Sequence, residues 1–236
     1  MSSRFEHSSR PVRIAIDRSA RIHAPSEDAD RAWDELCTRN PRYFNGPILA
    51  FDSFDPGSGI IRAHIDEYKR HAVRASVDLG VRILSVTGIF TAMQGDDRVY
   101  LLGKRARSTH WYGGRWEFGP SGGIEVPEED PSGEPTTIDT VGIIRELQRE
   151  AIEEAGLDLT GCEASVLGLA HDDLVGSVDV VLGVLVPRAY EHNANWEYSD
   201  TRWVTLDELL AWVEAEPDAF IEPTPVLARG VLPFGS

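Results

Sequence analysis

Alternation of hydrophobic and polar residues predicts three strands in the first third of the chain. Residues 12–17 alternate, and residues 48–54 and 60–65 flank a turn-forming segment at 55–59. Residues 1–11 are polar, and we expect them to be loosely ordered. Helical spacing of apolar residues predicts a helix over 27–37.

A short second helix is predicted over residues 66–73, with Asp66 as its N-cap. Further along, the pattern predicts a long helix that starts at Thr137 or Asp139 and ends at Ala155. It also predicts strands over 81–90, 99–102, 166–170, 178–186 and 201–204, and a final helix over 206–215. The apolar positions of the long helix are Val141, Ile144, Leu147, Ala151 and Ile152. Because strands and helices interleave, the fold class is α/β or α+β.

Composition narrows the function classes. The 236 residues carry a formal net charge of −16, which disfavours nucleic acid and anionic lipid as partners. No basic start precedes an apolar segment, and no apolar run is long enough to span a bilayer. The two cysteines, Cys37 and Cys162, have no metal-binding spacing. We therefore expect a cytoplasmic protein with reduced thiols that contacts neither nucleic acid nor membrane.

Three glutamates on one helix give the strongest chemical signal. Glu150, Glu153 and Glu154 stand at i, i+3 and i+4, so they project within one arc of the helix. Gly156 followed by Leu157 predicts the end of the helix, which places carboxylates at the negative end of its dipole. A solvated acidic helix end is one interpretation. A bound divalent cation is the other, because it would offset both the repulsion and the dipole.

The segment from Arg149 to Leu157, REAIEEAGL, resembles the second half of the Nudix box, Arg-Glu-U-x-Glu-Glu-x-Gly-U with U apolar. All five fixed residues are present: Arg149, Glu150, Glu153, Glu154 and Gly156. At typical residue frequencies this set would match by chance roughly 10⁻⁴ times in a chain of this size. The resemblance implies a Nudix α/β/α sandwich with a mixed sheet. It also implies Mg²⁺, for which Mn²⁺ can substitute, held by the three glutamates and the carbonyl of Gly122.

The first half of the box, Gly-x5-Glu, fits Gly123 and Glu129, but 19 residues separate Glu129 from Arg149 where the family has seven. This insertion of 12 leaves Glu128 and Glu134 as alternatives to Glu129. Glu197 resembles a family position that often supplies another carboxylate. We expect Arg149 and Glu197 to act with the three helix glutamates in catalysis, and Glu150 or Glu197 to orient or deprotonate the attacking water.

A basic cluster at a predicted strand end suggests how phosphate is bound. Lys104, Arg105 and Arg107 follow residues 99–102. Strand alternation would place Arg105 and Arg107 on one face. One interpretation is a phosphate clamp, in which Arg105 and Arg107 bind the substrate phosphates together with the backbone of Gly123. The other is that the basic cluster is a solvated strand edge. The segment His171-Asp172-Asp173 is interpreted as a turn rather than a metal group.

The N-terminal segment narrows the resemblance to one branch. The stretch from Asn40 to Pro47, NPRYFNGP, and the later Tyr68 resemble the UDP-glucose and UDP-galactose pyrophosphatases, which also carry an insertion before the catalytic helix. The resemblance implies that Asn45 and Tyr68 bind substrate, although packing of a small sheet explains them as well. It divides the chain into an extension over 1–80, with a small sheet and one or two helices, and a Nudix domain over 81–236.

The expected reaction is metal-dependent hydrolysis of a nucleoside diphosphate derivative, with a UDP-sugar giving UMP and sugar 1-phosphate. ADP-ribose, a dinucleotide and coenzyme A are alternative substrates. A catalytically silent nucleotide sensor is an alternative of another class. The sequence does not determine the oligomeric state, for which a homodimer is one candidate.

Overall fold

The computed structural model describes residues 3–19, 26–128, 136–189 and 197–230. Within them the chain forms a 12-stranded mixed sheet and five α-helices. The strands are β1 (Arg4–His7), β2 (Arg13–Asp17), β3 (Pro47–Asp55), β4 (Ile60–Glu67), β5 (Ile83–Gln94), β6 (Asp97–Arg105), β7 (Trp116–Phe118), β8 (Ser121–Gly123), β9 (Thr137–Ile138), β10 (Glu163–Asp172), β11 (Ser177–Leu185) and β12 (Tyr198–Thr205). The helices are α1 (Glu27–Arg39), α2 (Tyr68–Ala72), α3 (Thr140–Ala155), α4 (Leu206–Ala215) and α5 (Pro223–Gly230). The fold class is α+β.

Strand β5 is the centre of the sheet. It runs parallel to β11 over its first nine residues and antiparallel to β8, β6 and one residue of β3. The main path of the sheet is β1-β10-β11-β5-β3-β4-β2-β9, while β6 continues to β7 and β12. The pairing of β5 with β8 is what brings the double glycine next to the middle of the sheet.

Helices cover both faces of the sheet. Alternate residues of β5 face opposite sides, so Leu84 and Val86 pack in the same core as Leu147 of α3. Ile89 packs on the other side in a second core with Leu209 of α4 and Leu227 of α5. The predicted α/β/α sandwich is therefore confirmed. None of the helices in the described ranges is long and apolar enough to cross a membrane.

Strands β2, β3 and β4, within the first 80 residues, contribute side chains to the main core. Ile14, Leu49 and Ile61 pack in one cluster with Leu84 of β5 and Leu147 of α3. Strand β3 also pairs directly with β5 through Ala50 and Ile83. The division of the chain near residue 80 stays a prediction.

Both ends of α3 follow from the local sequence. The Asp139 carboxylate accepts a hydrogen bond from the backbone N–H of Gly142 (2.8 Å) and so caps the first turn. Gly156 takes the left-handed conformation (φ 63°), and the N–H of Leu157 donates to the carbonyl of Ala151 (2.9 Å). The left-handed glycine and this bond end the helix and confirm its predicted C-terminus.

The structure corrects several predicted elements. Asp66 lies in β4, and Glu67 occupies the N-cap position of α2 without a side-chain bond. The polar segment before residue 12 contains β1, whose partner is β10. Helix α4 is followed by α5, so it is not the final helix. In α3, Val141 and Ile152 are exposed while Ile143 is buried, because the core face is centred on Leu147.

Two buried histidines make stability depend on pH. Burial lowers the pKa of His71 and of His171 to about 4, below the ordinary value of about 6.5. Both rings therefore fold as neutral imidazoles. Their contribution is complete above about pH 6.5 and is lost as the pH falls towards 4, at about 1–2 kcal/mol per ring by pH 5.

We therefore expect the free energy of unfolding of His71→Gln in urea, measured relative to that of the wild type, to rise as the pH is lowered from 7 to 5. His7→Gln changes an exposed ring and should keep the wild-type dependence. An unaltered pH dependence in His71→Gln would exclude this histidine as a cause.

Candidate active site

Two of the three helix glutamates are buried against β8. Glu150 and Glu154 are only 7% and 6% exposed. The backbone N–H of Ser121 donates to Glu154 Oε2 (3.2 Å). A Cβ on Gly122 would lie 2.1 Å from the Glu150 carboxyl carbon, so glycine at this position is what lets the carboxylate approach the strand. The helix and the glycine turn predicted to form one site therefore do meet.

Glu153 has a different environment. Its side chain is 58% exposed, and Arg149 Nη1 donates to its Oε2 (3.3 Å). Arg149 Nη2 also donates to Glu150 Oε1 (2.7 Å), Glu146 Oε2 (3.3 Å) and the carbonyl of Gly123 (3.3 Å). One guanidinium thus ties the C-terminal turns of α3 to β8. The sequence grouped the three glutamates on one arc, whereas only two of them point into the protein.

A second group of buried carboxylates surrounds Arg105 at the end of β6. Arg105 Nη1 donates to Glu117 Oε1 (2.6 Å), and Arg105 Nη2 lies 3.0 Å from Glu197 Oε1. Arg105 Nε donates to the carbonyl of Trp111 (3.2 Å). Although burial opposes it, the two carboxylates raise the pKa of Arg105. This guanidinium is therefore a permanent cation that bridges two buried glutamates.

Burial and mutual repulsion act together on the carboxylates. Burial raises the pKa of Glu154 to about 9, and the negative charges of Glu197, Glu150 and Glu117 reinforce the shift. Burial also raises the pKa of Glu150, against the opposing effect of Arg149. The same holds for Glu197 and Glu117, each opposed by Arg105. When all four of these buried carboxylates are ionised, their negative charge exceeds the positive charge of the two guanidinium groups, Arg105 and Arg149.

The donor chemistry fits the divalent cation that the resemblance implies. Four buried carboxylates face two guanidinium groups, and carboxylate oxygens are the ligands that Mg²⁺ prefers. A cation would keep Glu154 ionised at neutral pH. Among the described residues, no three acidic, His or Cys side chains converge into a finished ligand set. The fit is therefore one of donor type and charge.

Other predicted site residues occupy separate positions. Arg105 and Arg107 were predicted to lie on one face of a strand. Strand β6 ends at Arg105, however, and Arg107 is exposed in the turn that follows, so the two side chains do not share a strand face. Lys104 lies over the Trp116 ring (5.6 Å to the centroid). Gly123 ends β8 and pairs with Ser85.

The two N-terminal residues predicted to bind substrate, Asn45 and Tyr68, make contacts with other residues of the N-terminal segment. Asn45 Oδ1 accepts from the backbone N–H of Lys69 (2.9 Å), at the start of α2. The Tyr68 ring contacts Trp33 edge to face, at 6.2 Å between centroids. Their role in substrate binding stays a prediction. Glu129 and Glu134 lie outside the described residues, and Glu128 is exposed.

Sequence reasoning missed two members of the site, Glu117 and Tyr198. Glu117 is 3% exposed, and the buried Tyr198 hydroxyl hydrogen-bonds to it. The ring of Tyr198 packs on glycines: a Cβ on Gly103 or on Gly119 would lie 2.4 or 2.2 Å from its atoms. The sequence did contain a signal for Glu117. It lies between Trp116 and Phe118 in an apolar strand, and a carboxylate buried in such a strand needs a partner. The predicted turn at His171-Asp172-Asp173 is wrong for the first two residues, which end β10. The turn begins at Asp173, and the N–H groups of Leu174 and Val175 donate to Asp172 Oδ1.

No protein-family model matches the chain, and no curated protein matches it. Similar solved structures include DR0079 from Deinococcus radiodurans (18% identity, 63% of this chain and 82% of that chain, TM-score 0.46). A Nudix hydrolase from Alicyclobacillus acidocaldarius shares 12% identity over 63% of this chain and 90% of its own (TM-score 0.46). An Ap4A hydrolase from C. elegans shares 16% identity over 64% and 96% (TM-score 0.42).

Proposed function

We propose that the protein is a Nudix-type hydrolase that cleaves a nucleoside diphosphate linked to another group. The observation that supports this most is the burial of Glu150 and Glu154 against Ser121 and Gly122. Carboxylates are costly to bury, so a purely structural helix end would not be expected to place two of them there. Glu150 and Glu154 are both fixed residues of the box motif.

In this proposal Glu150, Glu153 and Glu154, with the carbonyl of Gly122, would hold Mg²⁺ or Mn²⁺. The cation would neutralise the diphosphate and make it more electrophilic. Glu150 or Glu197 orients or deprotonates a water molecule, which attacks one phosphorus in line and releases two monophosphates. Electrostatic stabilisation of the phosphoryl transition state is the largest contribution to the rate.

The two arginines then have distinct roles. Arg149 positions Glu150 and the β8 backbone through its hydrogen bonds. Arg105 positions Glu197 and Glu117. It therefore acts on the substrate phosphate through these two carboxylates and does not bind the phosphate itself. The exposed Arg107 is the better placed of the two predicted clamp residues to meet a phosphate from solvent.

A UDP-sugar is our first candidate substrate, cleaved to UMP and sugar 1-phosphate. It rests on the resemblance of the N-terminal segment around Asn45 and Tyr68 and on the insertion in the box. ADP-ribose, dinucleotides and coenzyme A share the scissile diphosphate, and they are the competing substrates.

A substrate panel tests the proposal. Purified protein is incubated with UDP-glucose, UDP-galactose, ADP-ribose, a dinucleotide cofactor and coenzyme A, and released monophosphate is detected after phosphatase treatment. We expect UMP from UDP-glucose with Mg²⁺ or Mn²⁺ and none with EDTA. Release from ADP-ribose alone would keep the reaction class and replace the substrate.

The sensor hypothesis predicts a different outcome. A protein that binds UDP-glucose in calorimetry but releases no UMP with either metal would be a nucleotide-binding module. That result would overturn the proposed hydrolysis.

A further inference from the structure

A cavity of about 140 Å³, with several charged and polar residues in its wall, lies between the sheet and α5. Its wall includes Arg105, Glu117 and Ser121. Glu117 pairs with Arg105, and the N–H of Ser121 donates to Glu154. The cavity and the carboxylate site therefore share residues, and a group held in the cavity would lie directly beside the proposed scissile diphosphate.

Two further carboxylates line this cavity on the β10 and β11 side. Asp179 accepts from Ser177 Oγ (2.8 Å) and Thr87 Oγ1 (3.2 Å). Asp172 accepts from the Tyr112 hydroxyl (2.8 Å) through Oδ2. A carboxylate oxygen has two lone pairs, so both residues can still accept hydrogen bonds from a ligand.

Two buried donors lining the cavity have no partner among the described residues. They are the Thr224 hydroxyl and the Trp111 Nε1–H. Thr224 is 0% exposed. A buried polar group without a hydrogen bond is rare in folded proteins because its desolvation is not compensated. The Thr224 hydroxyl and the Trp111 indole N–H in the wall of this cavity are therefore two donors that a bound group with acceptors of its own could satisfy.

We propose that this cavity binds the non-nucleotide part of the substrate, a sugar ring that carries several hydroxyl groups. The inference rests on the proposed function and deepens it. A hydroxyl both donates and accepts, so a sugar can donate to Asp172 and Asp179 while it accepts from Thr224 and Trp111.

The lining disfavours the alternative occupant, the uracil base. Uracil presents two carbonyl acceptors and a single N3–H donor, so it could pair with only one of the three carboxylates of Glu117, Asp172 and Asp179, whereas several hydroxyls of a sugar could each donate. The volume also matches a small ring, since one water occupies roughly 10–15 Å³ on the same scale. The cavity thus selects a compact group rich in hydroxyls.

The Thr224→Val variant tests the inference, because it removes only the hydroxyl and keeps the shape of the side chain. The hydroxyl has no partner in the described protein, so we expect the melting temperature to stay the same or rise. Thr91→Val is the matched control. The Thr91 hydroxyl donates to the carbonyl of Val184 (3.1 Å) and lies outside this cavity, so that variant should lose stability and keep wild-type KM values.

Three substrates separate the parts of the ligand. UDP-glucose and ADP-glucose share the sugar, while the P2-methyl ester of UDP keeps the base and replaces the sugar by a methyl group. We expect Thr224→Val to raise KM for both glucose derivatives by about tenfold, with kcat little changed and with the methyl ester unaffected. Asp179→Asn should lower kcat/KM in the same pattern.

Other outcomes overturn the inference. Equal losses for UDP-glucose and the methyl ester, with ADP-glucose unaffected, would place the base in the cavity. Unchanged KM values for all three would leave it without a ligand. If the wild-type protein cleaves none of them, calorimetric dissociation constants for the same ligands take the place of KM. A tenfold weakening confined to the glucose derivatives would then support the sugar site while the proposed hydrolysis fails, and no binding would reject both.

Discussion

Replacement of Glu154 by Gln is expected to abolish turnover and to stabilise the metal-free protein. The substitution keeps the shape of the side chain, so the fold is retained. Loss of one negative oxygen donor from the proposed cation site should lower kcat by at least about a hundredfold, as the loss of a single preorganised electrostatic contact does in other enzymes.

The gain in stability has a separate cause. Because the pKa of Glu154 is raised to about 9 in the folded protein, its contribution to stability is complete below the ordinary pKa, near 4.3, and is lost as the pH rises towards 9. Gln carries no charge at any of these pH values. In EDTA at pH 8 we therefore expect the melting temperature of Glu154→Gln to exceed that of the wild type by a few degrees, since about 1 kcal/mol corresponds to roughly 2–4 °C in a chain of this size.

Assays of UMP release and thermal unfolding on the same preparations measure both effects. Glu214→Gln, at an exposed position of α4, is the matched control and should leave both unchanged. The difference in melting temperature should shrink as the pH is lowered towards 5. Near wild-type turnover in Glu154→Gln would reject the metal assignment, and a lower melting temperature in EDTA would reject the account of its burial.

Replacement of Arg105 by Met should have the largest effect on stability. It leaves Glu117 and Glu197 buried without their shared cation, and removal of one partner from a buried ion pair costs about 3–5 kcal/mol. Arg105→Lys keeps the charge but cannot bridge two carboxylates and the Trp111 carbonyl together, so we expect an intermediate loss.

Urea unfolding compares these variants with Arg107→Met, which changes an exposed side chain and should be neutral for stability. Adding Glu117→Gln to Arg105→Met should recover part of the lost free energy, because it removes one of the unpaired charges. If Arg105 acted only as a phosphate clamp, Arg105→Met would raise KM at unchanged stability. That outcome would contradict the positioning role.

The local sequence was sufficient for features that depend on neighbours along the chain. The ends of α3 follow from Asp139 and from Gly156 with Leu157, whose capping bonds lie within a few residues. The spacing of Glu150, Glu153 and Glu154 placed three carboxylates on one helix. Runs of apolar residues and their alternation located most of the strands, because these side chains pack into the cores on the faces of the sheet.

Short-range patterns were misleading where a distant element supplied the partner. The polar segment that contains β1 was expected to be loose, yet it pairs with β10, more than 150 residues later. Val141 and Ile152 fitted the helical period but lie outside the covered face of α3. The core face depends on how the helix is rotated against the sheet, and the period alone does not set that rotation.

For this protein, then, the sequence by itself determined that strands and helices interleave in an α/β or α+β fold, and it determined the carboxylate helix and the residue types of a candidate cation site. Only the tertiary structure decided that Glu150 and Glu154 are buried while Glu153 is exposed, and that Arg105 bridges Glu117 and Glu197. The cavity lined by Thr224 was likewise visible only in the tertiary structure. The physical reason is that burial and ion pairing depend on distances between strands far apart in the chain, whereas helix ends and periodicity depend on adjacent residues.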